Sequence, residues 1–528
     1  MSNTLVVEEE WKPKNGPWLI ALPTIFAAFM FVLDETIANV ALPHMAGSFS
    51  ISREESLWIL TLYLVASGIT IPAVDFFCKM FGRKNFFMFS IAIFTLSSFL
   101  CGLANSLGFM IAARIMQGFG GGGLLPIAQA VLLEAFPKEE RGKSMAIFGL
   151  VVVMAPIIGP VLGGWITDNW SWPWIFFINV PIGILTLYLT QIFMEDPPYA
   201  RKQDNIKIDY LGFFLLITWM ISLQVILDKG NTKDWFASPF IVRLSLVFVL
   251  SFLLFLISQI KRKDSLLDLS VIKDKNFTVG TFVQVIMMGV VLASLAILPQ
   301  FLQTLMGYTA FLSGLSMMPR GIGGMISLVL AGTLSTKMDN RVLAACGLLF
   351  VATGGLMLGN LNLEISPIDI MMPNFIFGLG MGLCMMPLVS LSVITLKNSQ
   401  MTNASGLQNM VKNIGGAIGT SIVSTIISRM SQAHQAYAVG SLHSLNPVYQ
   451  AKVTATAGAL SKYVDPVTAT HMAQYSLYGQ LVQQSTLWGF IEAFRAVGII
   501  AIIIIPLVFI LKKVDFSKKE EIESLTTD

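Results

Sequence analysis

Long apolar runs, separated by short polar segments, make up the chain from about residue 17 to residue 511. Most runs have roughly 20 residues or more, the length that a helix needs to cross the hydrocarbon core of a bilayer. The pattern therefore predicts fourteen transmembrane helices. They are expected at about 17–42, 55–77, 85–104, 107–135, 142–166, 173–194, 207–228, 238–260, 277–305, 311–335, 341–360, 367–395, 402–430 and 486–511.

Lysine and arginine residues predict how these helices are oriented. Basic residues concentrate in alternate loops, such as "CKMFGRKN" and "PKEERGKS", and in the final "LKKVDFSKKEE". Because basic loops stay on the cytoplasmic side, we expect the N-terminus at 1–16 and the tail at 512–528 to be cytoplasmic. The N-terminus lacks an apolar core followed by a small-residue cleavage site, so we expect no signal peptide.

One long loop is expected on the opposite side of the membrane, from about residue 431 to residue 486, with few charges. Asn446 and Asp465 each precede a proline, which is the pattern of a helix N-cap followed by proline at the first helical position. We therefore predict two short helices that form a hairpin outside the membrane. Three of the four histidines lie in this loop without metal-ligand spacing, so we expect no metal site there.

Composition agrees with a membrane protein and argues against other classes. The chain of 528 residues is 55% hydrophobic and 12% charged, whereas soluble globular proteins carry about 25% charged residues. A net charge of +3 is too small to indicate nucleic-acid binding. The sequence contains no Walker A, HExxH or GxSxG motif, so we expect that the protein is not an enzyme.

Charged side chains inside the predicted helices are the main candidates for function. A charge at the centre of a membrane helix costs about 2.5–3.5 kcal/mol on insertion scales, so such residues face a bundle interior or a wet cavity. Asp34 lies near the middle of the first run and Arg114 lies early in the fourth. Glu35 points about 100° away from Asp34 on a helix. It either lines a cavity, where it would attract a cationic drug, or reaches the outer interface.

Several motifs resemble those of the major facilitator superfamily. They are "LDETIANVALP" in the first run, "DFFCKMFGRK" after the second, "RIMQGFGGG" in the fourth and "APIIGPVLGG" in the fifth. Together with "WPWIFFINVPIG" and the fourteen runs, they are similar to the fourteen-helix drug:proton antiporter branch of that superfamily. The long outer hairpin resembles that of the EmrB-like (EmrB/QacA type) multidrug efflux pumps.

The resemblance implies a fold, which is an all-α integral membrane protein with two six-helix bundles and two extra helices between them. The N-terminal bundle would occupy 17–195 and the two linker helices 207–260. The C-terminal bundle would occupy 277–511 and would include the outer hairpin at 431–486.

The resemblance also implies a function and partners. It implies a proton-coupled antiporter that exports hydrophobic or cationic drugs and needs no cofactor beyond the coupling protons. The expected location is the bacterial inner membrane, with a periplasmic membrane-fusion adaptor (EmrA-like) and an outer-membrane channel (TolC-like) as partners. Export of an endogenous lipid or metabolite, or a transport-inactive sensor or scaffold, are alternatives. The hairpin either docks the adaptor or forms a lid over the outer vestibule.

The first and fourth helices are neighbours in this superfamily, so the resemblance predicts that Asp34 meets Arg114, with Gln117 one turn away. Burial favours the neutral carboxyl, and a nearby guanidinium favours the charged one. Opening and closing the cavity would therefore let Asp34 take up and release a proton. The proton-coupling candidates are Asp34, Arg114 and Glu35, and the substrate-cavity candidates are Asn39, Gln117, Gln408, Asn409, Asn413 and Arg320.

A third group of candidates would act in conformational change. They are Gly159, Pro160, Gly163, Gly164, Asp75, Lys79, Gly82 and Arg83. The glycines are equally explained by close helix packing, and Lys79 and Arg83 by the preference of basic residues for the cytoplasmic side. Asp75 and Lys79 depart from the usual motif of this loop and are one helical turn apart, so they can pair with each other. Glu492 and Arg495 in the last run are also expected to pair with each other.

Overall fold

A computed structural model of the protein describes residues 15–136, 141–196, 202, 209–261, 269–335, 338–396, 401–443 and 445–512. The expected cytoplasmic segment 1–16 and the tail at 512–528 fall almost wholly outside the described residues, and so does the side chain of Asp75. The described part is helical and contains no strand.

Fourteen long helices form the described part, and we number them α1–α14 in chain order. The first six are α1 Pro17–Phe49, α2 Trp58–Phe81, α3 Arg83–Gly102, α4 Leu107–Gly121 with Leu124–Ala135, α5 Arg141–Asn169 and α6 Asn179–Phe193. The next two are α7 Tyr210–Lys229 and α8 Pro239–Lys261. The last six are α9 Lys275–Thr304, α10 Ala310–Leu334, α11 Asn340–Leu358, α12 Pro367–Val393, α13 Met401–Val439 and α14 Pro466–Ile503.

The fourteen apolar runs predicted from the sequence are all helical. Thirteen of the described helical segments are long and apolar enough to cross a membrane, and α2 contains a shorter apolar stretch, Trp58–Val74. A helix satisfies most of its backbone hydrogen bonds internally, as hydrocarbon requires. The chain is therefore built as a multi-pass membrane protein.

The helices form two bundles, each with its own apolar core. Helices α1–α6 surround one core that includes Phe87 and Phe94, and α9–α14 surround another that includes Phe301 and Phe377. The bundles meet where α5 packs on α10 and where α2 packs on α13. A β-carbon at Gly314 of α10 would lie only 2.9 Å from the backbone of α5, so small residues allow the two bundles to approach closely there.

The two extra helices lie at the edge of the seam between the bundles. Helix α7 packs against α2 and α13, and the hydroxyl of Ser421 on α13 donates a hydrogen bond of 2.6 Å to the Leu227 carbonyl oxygen of α7. Helix α8 packs mainly on α7, and 17% of its membrane-spanning window is buried. Most of α8 therefore faces outward, where lipid would cover it.

The predicted N-caps of the hairpin are both present. The side chain of Asn446 accepts a hydrogen bond from the Val448 amide, and that of Asp465 accepts one from the Thr468 amide, each with proline at the first helical position. Pro447–Leu460 is the short helix that was expected. We call the end of the molecule that carries it the hairpin face.

The prediction of a second short hairpin helix is wrong. Helix α14 begins at Pro466 and continues without a break into the last membrane span, and α13 reaches Val439 before the hairpin begins. The physical reason is that no proline occurs between Pro466 and Pro506, so nothing in the sequence ends the helix at the membrane surface. The hairpin thus connects two helices that each extend without a break from a membrane span.

Candidate functional site

Asp34 and Arg114 form a fully enclosed ion pair in the N-terminal bundle. Asp34 lies in α1 and Arg114 in α4, and both side chains have no exposed surface. Nη1 of Arg114 donates to Oδ2 of Asp34 at 2.6 Å. A charge-assisted bond of this length between two enclosed groups stabilises the charged carboxylate.

Two amides complete the coordination of the Asp34 carboxylate. Gln117 Nε2 and Asn179 Nδ2 each donate to Oδ1 of Asp34 at 2.8 Å. Gln117 also accepts from Arg114 Nη1 at 2.7 Å through its Oε1 atom. Both carboxylate oxygens are thus occupied by donors, and three helices, α1, α4 and α6, meet at one acid.

Aromatic rings and a backbone carbonyl enclose the Arg114 guanidinium. Its Cζ atom lies 4.1 Å from the centre of the Tyr63 ring and 5.5 Å from that of Phe176. Its Nε atom donates to the Ile59 carbonyl oxygen of α2 at 3.1 Å. Nη2 of Arg114 and the Tyr63 hydroxyl have no hydrogen-bond partner among the described residues, so the site contains two buried donors that are unsatisfied.

Glu35 and Asn39 lie on a different face of α1 from Asp34. Glu35 is half-buried, and Asn39 is exposed and donates to the Glu35 carbonyl oxygen at 3.1 Å. Neither side chain joins the carboxylate cluster. The structure therefore places Glu35 at a more accessible position than Asp34.

The small residues predicted in α5 pack against two other helices. A β-carbon at Gly159 would overlap the Thr36 hydroxyl of α1, and one at Gly163 would lie 2.7 Å from Ile37. Pro160 contacts Gly314 of α10 instead. Gly164 is also buried. The region around Gly159 therefore links the helix that carries Asp34 to the second bundle.

The loop between α2 and α3 turns at Gly82, whose φ of 85° is a backbone conformation that favours glycine. The Lys84 amide donates to Oδ1 of Asp196, just beyond α6, at 2.8 Å. Arg83 is buried and Lys79 is exposed. Pairing of Lys79 with Asp75 stays a prediction, because the Asp75 side chain lies outside the described residues.

The polar candidates of the second bundle lie at separate places. Gln408 is buried and donates to the hydroxyls of Ser392 at 2.7 Å and Thr281 at 3.2 Å, so it links α13 to α12 and α9. Asn409 and Asn413, also on α13, are half-buried. Arg320 of α10 is buried and forms a cluster of its own.

The predicted pair of Glu492 with Arg495 is wrong. Glu492 Oε1 lies 2.8 Å from Nε2 of His434 on α13. Arg495 instead donates to the carbonyl oxygen of Gly359 at 2.9 Å and to Oδ1 of Asn360 at 3.0 Å. Each side chain has a partner outside α14. Glu492 connects α14 to α13, and Arg495 connects α14 to the end of α11.

Comparison with known proteins settles the family. The sequence profile of the Major Facilitator Superfamily matches residues 24–420. The chain belongs to the Major Facilitator Superfamily. The resemblance read from the motifs is therefore confirmed.

Relatives within the superfamily include drug exporters. The chain is 32% identical over 490 residues to the multidrug export protein EmrB of Escherichia coli strain K12, with 92% of each chain covered. It is also 32% identical over 514 residues to the fatty acid resistance protein FarB of Neisseria gonorrhoeae, with 95% of this chain and 98% of that protein covered.

A solved superfamily structure shares the fold. A bacterial homologue of the human lysosomal transporter Spinster, in an inward-facing and occupied conformation, superposes with a TM-score of 0.58 at 14% sequence identity, covering 93% of this chain and 96% of that one. At that identity the likeness concerns the fold alone.

Two residues of this site, Asn179 and Tyr63, were not among the functional residues predicted from the sequence. Asn179 lies in the quoted motif "WPWIFFINVPIG", but the motif was used only to indicate the family. Tyr63 gave no signal beyond an aromatic residue in an apolar run. An amide inside a membrane helix is itself unusual enough to mark a hydrogen-bonded position, and that signal would have pointed to Asn179.

Proposed function

We propose that the protein is a proton-coupled antiporter that exports hydrophobic compounds, including cationic drugs, from the cytoplasm or the inner leaflet. The observation that supports this proposal most strongly is the enclosed pair of Asp34 and Arg114. An ionisable residue inside a membrane helix that faces the bundle interior typically serves a proton or substrate pathway.

Protonation of Asp34 competes with its contact to Arg114. A proton on either carboxylate oxygen turns an acceptor into a donor, and both oxygens already accept hydrogen bonds. The proton therefore binds when the Arg114 contact is released, and it leaves when that contact forms again. Because the cluster joins α1, α4 and α6 and touches α2, its charge state affects how these helices pack.

Movement of α1 can pass to the second bundle through α5. Gly159 packs against Thr36, two residues after Asp34, and the neighbouring Pro160 packs against Gly314 of the other bundle. A shift of α1 at the carboxylate therefore changes a contact at the seam between the bundles. This route couples proton binding to the alternating exposure of a central cavity.

The names of the two relatives support export of hydrophobic compounds. EmrB is described by drug export and FarB by resistance to fatty acids, and the two kinds of compound share apolar character. Half-buried Glu35 would attract cationic members of the class. Export of an endogenous lipid or metabolite would use the same machinery.

For location and partners we propose the bacterial inner membrane, with both termini in the cytoplasm and the hairpin face in the periplasm. Aromatic and aliphatic side chains beyond the predicted apolar runs 402–430 and 486–511 are highly exposed at that face: Tyr437 is 90% exposed, Leu445 87%, Tyr463 85% and Tyr475 77%. Exposed apolar residues grouped in this way mark interaction sites. They fit a periplasmic adaptor of the EmrA type, which would lead to an outer-membrane channel of the TolC type.

The test of the transport function is an uptake assay in proteoliposomes under an imposed pH gradient. Hydrophobic cations, neutral drugs and fatty acids are each supplied on the side where the chain termini lie. Gradient-dependent movement of at least one compound, abolished by a protonophore, is expected. Transport that is independent of the pH gradient for every compound would overturn the proposed proton coupling. No transport of any compound would favour a sensor or scaffold.

A further inference from the structure

One buried arginine of the second bundle, Arg320, has no acidic partner in the described part of the chain. Arg320 of α10 is 4% exposed. None of the ion pairs formed by the described residues includes it. Its Nη1 atom is buried and makes no hydrogen bond to a described residue.

Neutral groups hold the Arg320 guanidinium in one orientation. Nε donates to Oδ1 of Asn374 on α12 at 2.9 Å, and Nη2 donates to Oγ of Ser294 on α9 at 2.9 Å. The Cζ atom lies 4.3 Å from the centre of the Phe377 ring. These contacts fix two edges of the guanidinium and leave the Nη1 edge unused.

The two partners of Arg320 lie on the helices that correspond to α4 and α1 of the first bundle. Arg114 lies seven residues after the first residue of α4, and Asn374 lies seven residues after the first residue of α12. Asp34 follows the start of α1 by 17 residues, and Ser294 follows the start of α9 by 19. The two halves of this superfamily are related by approximate symmetry, so α12 carries an amide where α4 carries Arg114, α9 carries a hydroxyl near the position of Asp34, and the arginine of the second bundle comes from α10 instead.

The missing acid has an energetic consequence. Arginine does not lose its proton in proteins, so Arg320 cannot escape the cost of burial by becoming neutral. A buried charge is usually paired. Asp34 meets that need for Arg114, whereas the described part of the second bundle supplies no carboxylate for Arg320.

We infer that Arg320 binds the carboxylate of an organic acid with an apolar tail, so that the second bundle contains a subsite for anionic amphiphiles. The two N–H groups of Nη1 are free to bind a carboxylate. A single positive charge in neutral surroundings suits a monoanion. Phe377 and Met317 belong to the apolar core of this bundle and would contact the tail once the surrounding helices open.

This inference rests on the proposed export function only in that the bound acid is taken to be cargo. Binding itself can be measured without a pH gradient, so a failure of proton coupling would not affect the result. Because Arg320 is enclosed in this structure, the acid reaches it only in a state in which the surrounding helices open.

The test compares three probes that share a twelve-carbon tail: dodecanoate, dodecan-1-ol and dodecyltrimethylammonium. Their binding to the full-length protein in lipid nanodiscs is measured at equilibrium near pH 7.5. The wild-type protein is expected to bind dodecanoate about ten- to a hundredfold more tightly than dodecan-1-ol, the range expected for a hydrogen-bonded charge contact. R320Q is expected to remove this preference and leave dodecan-1-ol binding unchanged.

Two further variants separate a binding role from a structural one. N374D supplies a carboxylate of nearly the same shape beside the guanidinium, so it should also abolish the preference while Arg320 remains. R495Q is the matched control. Arg495 also donates from Nε and Nη2 to neutral acceptors, but near the hairpin face. R495Q should therefore leave the preference for dodecanoate intact.

Three results would overturn the inference. The first is equal binding of dodecanoate and dodecan-1-ol by the wild-type protein. The second is an unchanged dodecanoate preference in both R320Q and N374D. The third is an equal loss of binding of all three probes in R320Q together with a lower unfolding temperature. That result would give Arg320 a structural role in holding α9, α10 and α12 together.

Discussion

Asn179 of α6 donates a hydrogen bond of 2.8 Å to the carboxylate of Asp34 on α1. The same amide nitrogen lies 3.1 Å from the Ser98 hydroxyl of α3, which in turn donates to the Phe176 carbonyl oxygen at 2.9 Å. Asn179 therefore connects the Asp34 carboxylate to α3 through the Ser98 hydroxyl. Its position makes it a sensitive test of how the acid is held.

Replacing Asn179 with alanine should reduce gradient-driven transport more than replacing Ser98 with alanine. N179A removes a donor to a buried charge, a loss of about 1.5–3 kcal/mol. S98A removes only contacts between neutral groups, one to the Asn179 amide and one to the Phe176 carbonyl oxygen. Initial transport rates of the two variants in proteoliposomes give the comparison. Equal rates for N179A and wild type would show that the Asn179 contact is dispensable.

Replacing Gly159 with alanine should destabilise the protein by about 1–3 kcal/mol, the usual cost of overpacking a close contact. The new methyl group would overlap the Thr36 hydroxyl. The double variant G159A/T36A should recover part of the loss, because it removes the overlapping group. Unfolding temperatures in detergent measure both effects.

Gly332 provides the control for the glycine experiment. It lies in α10, and a β-carbon at this position would meet nothing within 4 Å. G332A should therefore leave the unfolding temperature unchanged or raise it slightly, since alanine favours the helix more than glycine does. A decrease in the unfolding temperature of G332A as large as that of G159A would refute the packing explanation.

The start of α14 should depend on the side-chain cap that Asp465 provides. The Thr468 amide donates to the Asp465 carboxylate and lowers its pKa below the usual value. The charged cap therefore stabilises the helix start above the ordinary carboxyl range, and its contribution is lost as the pH falls through the lowered pKa. At neutral pH, D465A should speed amide hydrogen exchange in the first turn, whereas D465N should retain most of the protection. Equal exchange in D465A and wild type would mean that the cap does not hold this turn.

The exposed apolar residues of the hairpin face should be needed for adaptor binding but not for transport by the isolated protein. Changing Tyr463 and Tyr475 together to serine removes two large exposed rings that lie outside the predicted apolar runs. Co-purification with a candidate EmrA-type adaptor should fall at least tenfold. The loss of a central aromatic contact often costs about 2 kcal/mol or more of binding free energy. Changing Lys452 to serine is the matched control. Normal adaptor capture by the tyrosine variant would favour the alternative of a lid.

Hydropathy predicted the membrane helices because a lipid environment leaves few alternatives to a continuous apolar helix. It failed where that constraint ends. Residues 431–439 of α13 and the first turns of α14 lie beyond the apolar runs, and there hydropathy no longer distinguishes helix from loop. The Asx-Pro pairs still marked where the short helix Pro447–Leu460 and α14 begin, because capping is a local interaction.

The site was predictable only in part. Asp34 and Arg114 stood out because charges are rare inside membrane helices, but their proximity was expected from the family's helix arrangement. The partners of Asn179, Glu492 and Arg320 depend on contacts between distant helices, which no local pattern encodes. The absence of an acid beside Arg320 in the described chain became visible only in three dimensions.

The most direct test of the central claim is to measure Asp34→Asn in proteoliposomes in two modes, uphill transport under a pH gradient and substrate exchange at equal pH. The amide keeps the shape of the carboxylate but cannot exchange a proton near neutral pH. The account predicts that uphill transport is abolished while exchange persists. Uphill transport at the wild-type rate in this variant would contradict the assignment of Asp34 as the proton-coupling group.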